Sequence, residues 1–236
     1  MVPPEEIVNS SNTPIDSLIA IDESVGGEVG STVENELEKV LLWSYAELGS
    51  EQMVKAKEEF YWKMGKVFPD DDFFANRMSY FIDHFIFERP VESHKELGGS
   101  TPYEVYTQNN DVALHPYLHS LFVVVKKTKS KLQLKSLITS EKIQITARPQ
   151  ERLDGIQKKD ILQCFVYQMN QQFFMSKGVI FHPYRSYKII RKKLKKVISS
   201  ENFQASKLLH SLARKQLRHC RHIHVDPRKF YQDDQI

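Results

Sequence analysis

The sequence predicts an α+β protein with three parts: an N-terminal helical domain, a five-stranded antiparallel small barrel of SH3-like or OB-like type, and C-terminal basic helices. Three observations carry this. Apolar residues recur at helical spacing as far as about residue 112. Between 117 and 182 they change to β-branched runs and strict alternation. From Pro183 the helical spacing returns, now with lysine and arginine covering the polar side.

Residues 1–30 carry Pro3, Pro4, Pro14, several Ser and Asn and the Gly26-Gly27 pair, and they read as a flexible acidic tail. The helical domain is expected over 31–112. Ser31-Thr32-Val33-Glu34 has the form of a capping box. Val33, Leu37, Val40, Leu41 and Leu48 follow it at helical spacing, and Gly49 closes that helix. Ser50 can cap a second helix, whose stripe is Met53, Ala56, Phe60, Met64 and Val67, with Pro69 as its end. Asp70-Asp71-Asp72 is placed to open a third helix, because carboxylates favour the positive helix N-terminus. Its buried face is Phe74, Met78, Phe81, Ile82 and Phe85. Ten of the 26 aromatic residues lie between Phe60 and Phe87, which implies a dense aromatic core. Thr101-Pro102-Tyr103-Glu104 is a further capping box, with proline at the first helical position.

The barrel is expected over 117–182. Leu121 to Val125, Leu132 to Lys135, Ile143 to Thr146 and Ile161 to Tyr167 are four strand candidates. Phe173 to Met175, taken with Val179 to Phe181, makes the fifth. Five strands in about 65 residues leave no room for crossover helices, so the sheet must be antiparallel, and curling it hides its edges. Residues 183–236 form the basic helical extension and tail. One helix places Tyr184, Tyr187, Ile190, Leu194, Val197 and Ile198 inward. A second, opening near Ser200-Glu201, does the same with Phe203, Leu208, Leu209, Leu212 and Leu217. Val225 to Tyr231 reads as an extended tail that folds its aromatics back.

The net charge of +3 conceals an asymmetry: residues 1–116 hold 8 basic and 22 acidic side chains, residues 117–236 hold 25 basic and 8 acidic. Such halves either neutralise one another across a contact, or leave a basic region for an anionic partner. No stretch approaches the ~20 apolar residues of a membrane span, and the acidic start lacks the basic-then-apolar pattern of a secretory signal. Cys164 and Cys220 cannot make a disulfide framework, which suits a cytoplasmic location.

Five segments carry a resemblance. Tyr80-Phe81-Ile82-Asp83-His84-Phe85-Ile86-Phe87-Glu88-Arg89-Pro90, followed by Thr101 to Tyr106, is similar to a recurring segment of uncharacterised bacterial cytoplasmic proteins, in which an aromatic-rich helical domain precedes a small β-barrel. Leu137 to Glu141, Lys159 to Leu162 and Arg221 to Pro227 are similar to later portions of the same proteins. The resemblance implies a helix-then-barrel architecture and no activity.

Seven cations between Arg185 and Lys196 concentrate positive charge within about three helical turns. Lys188, Arg191, Lys192, Lys195, Lys196, Arg214, Lys215 and Arg218 are therefore the expected phosphate contacts of a non-enzymatic polyanion-binding module, nucleic acid being the expected partner. The acidic N-terminal half would tune that binding. The alternative is a protein–protein adaptor or scaffold in which the helical domain docks a partner and the charge asymmetry is structural. His219, Cys220, His222 and His224 gather metal-ligand types, but form one cluster without the second pair that zinc usually needs, so no metal or other cofactor is expected. Asp83, His84 and Glu88 share a helix, with His84 and Glu88 at i, i+4, and read as a helix-surface ion pair rather than an acid–base pair. Arg148-Pro149-Gln150-Glu151-Arg152 matches the RxxxR of cyclic-di-GMP-binding PilZ domains, but the companion motif is missing. No glycine-rich phosphate loop and no nucleophile elbow occurs, so no catalytic residue is assigned.

Overall fold

The computed structural model describes residues 32–91, 99–148, 153, 155–200 and 203–232, which belong to one compact unit. The tail expected over 1–30, the Ser31 capping box and most of the Arg148–Arg152 motif lie outside the described residues.

Among the described residues, four helices come first. Helix α1 (Val33–Leu48) is capped by Thr32, whose hydroxyl accepts from the Asn35 amide at 3.2 Å. Gly49, at φ 80°, turns the chain directly into α2 (Ser50–Met64). Helix α2 stops before the expected Pro69, because Gly65 takes φ 94° and its amide closes on the Tyr61 carbonyl at 2.9 Å. The Asp70–Asp72 run does not open α3 (Phe74–Phe87). Asp71 builds the turn before it instead, accepting from the Phe68 amide at 2.9 Å through its side chain and from the Phe74 amide at 2.8 Å through its carbonyl. Helix α4 (Pro102–Thr107) has both bonds of its capping box, Glu104 N to Thr101 Oγ1 at 3.3 Å and Thr101 N to Glu104 Oε2 at 2.8 Å.

The protein is mixed α+β, and among the described residues its sheet has six strands rather than the expected five: β1 (Leu114–Lys127), β2 (Lys131–Ser136), β3 (Lys142–Thr146), β4 (Ile161–Met169), β5 (Gln172–Met175) and β6 (Ile180–His182). The fifth candidate is two strands, because the link between them is pressed onto α3 at Gly178. Strand β1 starts at Leu114, ahead of Tyr117. Pro116 is tolerated there because the β1–β4 register shifts between Pro116 and Leu118. The pairing order is β1-β2-β3-β5-β4-β6, with β1 also paired to β4. Five of these pairings are antiparallel; the exception joins β3 and β5 through one parallel pair, Ile145 opposite Phe173. The strands are therefore not arranged as an even five-membered ring.

Side-chain alternation divides the core in two. Phe122, Val124, Leu134, Ile145, Leu162, Cys164 and Val166 fill the inner face of the curled sheet. Leu121 and Ile161, one residue out of phase, pack outward against Ile190, Leu194, Leu208, Leu209, Leu212 and Tyr231. These come from α5 (Tyr187–Ile198), α6 (Ala205–Arg221) and α7 (Pro227–Gln232). Strand β4 is consequently buried on both faces, which explains its unbroken apolar run. Helix α6 opens at Ala205, after the Ser200-Glu201 step. The terminal segment is helical rather than extended, because Asp226 accepts from the Arg228 amide at 2.9 Å and precedes Pro227 at the first helical position. Its expected packing holds, since Tyr231 is buried. Among the described residues no helix is long and apolar enough to cross a membrane.

Candidate anion-binding face and a buried histidine network

Helix α5 presents its basic side outward. Lys188, Arg191, Lys192, Lys195 and Lys196 are all exposed, and among the described residues none of these five side chains enters an ion pair or hydrogen bond. Ile190 and Leu194 anchor the opposite side of the helix in the outer core. Between α5 and the β2–β3 hairpin lies a groove of about 580 Å³. Lys135, Arg191 and Lys195 supply its charge, Ser136, Ser140 and Ser199 its hydroxyls, and Leu137, Ile138 and Ile198 part of its apolar lining. Ser140 takes φ 66°, and the Ser136 hydroxyl accepts from the Ile138 and Thr139 amides at 3.2 and 3.0 Å, which fixes the hairpin turn.

The basic residues of α6 are engaged differently. Arg214 donates to the Trp62 carbonyl, and Arg221 to the Lys66 carbonyl at 2.7 Å and to Asp71 at 3.2 Å. These contacts satisfy carbonyls at and beyond the C-terminal end of α2. Arg218 lies over the Phe230 ring at 5.8 Å. Lys215, only 6% exposed, sits in the interior. The eight expected phosphate contacts thus divide into five on one open face and three on another helix that packs against its neighbours. Elsewhere the halves do meet: Arg148 pairs with Glu34, and Lys177 lies 3.4 Å from the same carboxylate.

Asp83, His84 and Glu88 are not on a helix surface. Asp83 and His84 are buried, because α3 turns this side toward β1, β4 and α6. Tyr167 and Ser176 donate to the two oxygens of Asp83. Burial pushes Asp83 up to about 7 against the pull of those two hydrogen bonds. On the next turn His84 Nδ1 lies 3.0 Å from Glu88 Oε2, and His119 Nδ1 lies 2.5 Å from Glu88 Oε1. Burial would raise Glu88, but the hydrogen bonds from His119 and His84 outweigh it and hold the carboxyl well below the usual carboxylate range.

From His119 a line of hydrogen bonds crosses the sheet. His119 Nε2 is 2.5 Å from the Tyr80 hydroxyl, which accepts from Gln163 Nε2 at 2.6 Å. Gln163 Oε1 is 3.1 Å from His182 Nε2, and His182 Nδ1 is 2.8 Å from the Tyr231 hydroxyl. One assignment of hydrogens satisfies every link. Tyr231 donates to His182, His182 to Gln163, Gln163 to Tyr80, Tyr80 to His119, and His119 to Glu88. Burial, reinforced by the charge of Arg77, pushes His182 down to about 3.

His210, on α6, faces this cluster across the helix interface. Its ring stands perpendicular to that of His84, centroids 5.1 Å apart. Burial and then the charge of His84 push His210 down to about 4, and its buried Nε2 has no hydrogen-bond partner among the described residues. His84, Glu88 and His210 each offer a ligand atom, all within 4.8 Å of one another, the single such group of three among the described residues. His219 and His222 lie instead beside the Phe230 ring, with centroids 5.9 and 6.1 Å away. Sequence reading finds His84 and Glu88 as an i, i+4 pair; nothing in the local pattern at His210 links it to them. Burial pushes the Cys164 thiol up, and Cys220 is half-buried beside Gln216, so neither is set up as a nucleophile. No family model matches the chain, and neither a curated protein nor a solved structure matches it.

Proposed function

We propose that the α5 face binds a polyanion, with nucleic acid as the partner, and that the protein is a non-enzymatic binding module. The observation that supports this most directly is the set of exposed cations Lys188, Arg191, Lys192, Lys195 and Lys196, none matched by a described carboxylate. A cation already paired within the protein gains little from a phosphate, whereas a free one releases condensed counterions when it docks. The groove beside α5 adds Lys135 and the hydroxyls of Ser140 and Ser199 over an apolar lining, a composition suited to sugar and phosphate. We read the five strands β1 to β5 as a small curled barrel. Pairing of β1 with both β2 and β4 supports this. The acidic N-terminal half would tune binding by competing for the same cations.

A fluorescence titration with generic single- and double-stranded oligonucleotides at two salt concentrations tests the reading. Binding should weaken steeply with salt. Replacing Lys192, Lys195 and Lys196 by alanine should reduce the log–log salt slope by roughly 0.7 to 0.9 for each phosphate that is no longer neutralised. Absence of binding at low salt ends the proposal.

A second reading, the protein–protein adaptor, is favoured by Trp62, which is 77% exposed on α2. Capture of one protein that survives nuclease treatment and is abolished in Trp62→Asp would favour it over nucleic-acid binding.

A further inference from the structure

We infer that His84, Glu88 and His210 form a binding site for a divalent first-row transition-metal ion of zinc type, independent of the α5 face. The argument begins with geometry. His84 and Glu88, four residues apart, project from the same side of α3, and His210 reaches the same point from α6. Two imidazoles and one carboxylate are the donors that zinc and its first-row neighbours take in sites with three protein ligands. Such donors lie about 2.0–2.2 Å from the ion and, at tetrahedral angles, roughly 3.3–3.6 Å from one another. The three ligand atoms here all lie within 4.8 Å, so side-chain adjustments on the order of an ångström close the site.

His210 Nε2 is the independent observation. A buried ring nitrogen without a hydrogen-bond partner is rare, because it loses water and gains nothing in return. A metal ion held by this nitrogen supplies the missing interaction. The surroundings also match what a bound carboxylate requires. His119 holds the second oxygen of Glu88 at 2.5 Å and is itself fixed by Tyr80, so the carboxylate cannot swing away. The Phe60 ring, 6.0 Å from that of His84, supplies an apolar wall. Glu88 keeps 22% of its side chain exposed, which gives an ion a way in. With three protein ligands, at least one coordination position remains for water or a small ligand.

The test uses the full chain, stripped with chelator and dialysed. Zn2+ is titrated by calorimetry, and Co2+ is added separately for its visible absorption. The same titrations are run on His210→Ala, Glu88→Gln and, as a control outside the site, His224→Ala. Near-ultraviolet circular dichroism verifies folding, and His210→Gln is held in reserve should His210→Ala unfold. The expected result is one Zn2+ per chain in wild type and His224→Ala, a tetrahedral or five-coordinate Co2+ band, and affinity weakened at least 100-fold in folded His210 and Glu88 variants. Wild type that binds no Zn2+, or folded His210 and Glu88 variants that bind as wild type does, overturns the inference.

Discussion

Gly178 sits directly against the backbone of Tyr80. A Cβ built on Gly178 would come within 2.8 Å of Ser79 C and closer still to the nitrogen and Cα of Tyr80. The link between β5 and β6 touches α3 without room for a methyl group, and backbone atoms cannot rotate aside as a side chain would. Gly178→Ala should therefore destabilise the protein by about 1–3 kcal/mol or more, because α3 must shift from the sheet. A fall in the urea unfolding midpoint at unchanged slope would be the signature. An unchanged midpoint would contradict the close approach.

The basic residues of α6 and α5 should separate experimentally. Arg214→Ala removes the hydrogen bond to the Trp62 carbonyl and should lower stability by about 1 kcal/mol, while leaving oligonucleotide affinity within about twofold of wild type. Arg191→Ala should do the reverse, weakening oligonucleotide binding with little effect on the unfolding midpoint. Paired titration and urea curves on the two variants check both halves of the statement.

Acid should destabilise the fold partly through His182. Its folded pKa of about 3 lies below the ordinary 6.5, because burial and Arg77 oppose the charge. Between those values the unfolded chain binds a proton that the folded chain refuses. The contribution of His182 to stability is thus complete above pH 6.5 and declines progressively as pH falls toward 3. The effect is on the order of a few kcal/mol across that window. Urea midpoints measured from pH 7 to pH 4 should fall less steeply in a folded His182→Asn variant than in wild type, leaving the part due to carboxylates such as Glu34 and Glu59, whose pKa values are lowered in the fold.

The two thiols should differ in reactivity. Cys164 lies wholly inside the sheet and Cys220 is half-buried near the end of α6. A disulfide reagent under native conditions should modify at most one thiol per chain, with the second appearing only as the protein unfolds. Mass spectrometry of the singly labelled species should locate the label at Cys220.

Periodicity makes most elements legible. The Thr101–Glu104 box, the alternation at Leu132 to Lys135 and the apolar run at Ile161 to Tyr167 each specify their state locally, and the fold follows them. The misplaced boundaries have local causes with two possible readings. Gly65 and Pro69 both end helices, and the glycine stands first in the chain. The Asp70–Asp72 run serves a turn as well as it would a helix start. Pro116 argues against a strand, and only a register shift accommodates it. The open basic face of α5 is readable because one helix carries all of it. Helical spacing puts Lys215 outward with its α6 neighbours, yet it is buried where α6 is enclosed on more than one side. The histidine cluster is hidden for a different reason: Glu88, His119 and His210 come from three elements remote in sequence, and only tertiary packing brings them together.

The line from Tyr231 to Glu88 has a direction, and direction constrains it as a whole. Turning the Gln163 amide over would set two N–H groups against each other at His182 and oppose the carbonyl oxygen to the lone pairs of Tyr80. No member can reverse alone, so the direction of the whole series is set by the Glu88 carboxylate, which only accepts, and by the Leu209 carbonyl, to which Gln163 Nε2 also donates at 3.0 Å. The proton of Tyr231 on α7 is thereby placed by a carboxylate it does not touch, and disturbing Glu88 should be felt spectroscopically at Tyr231.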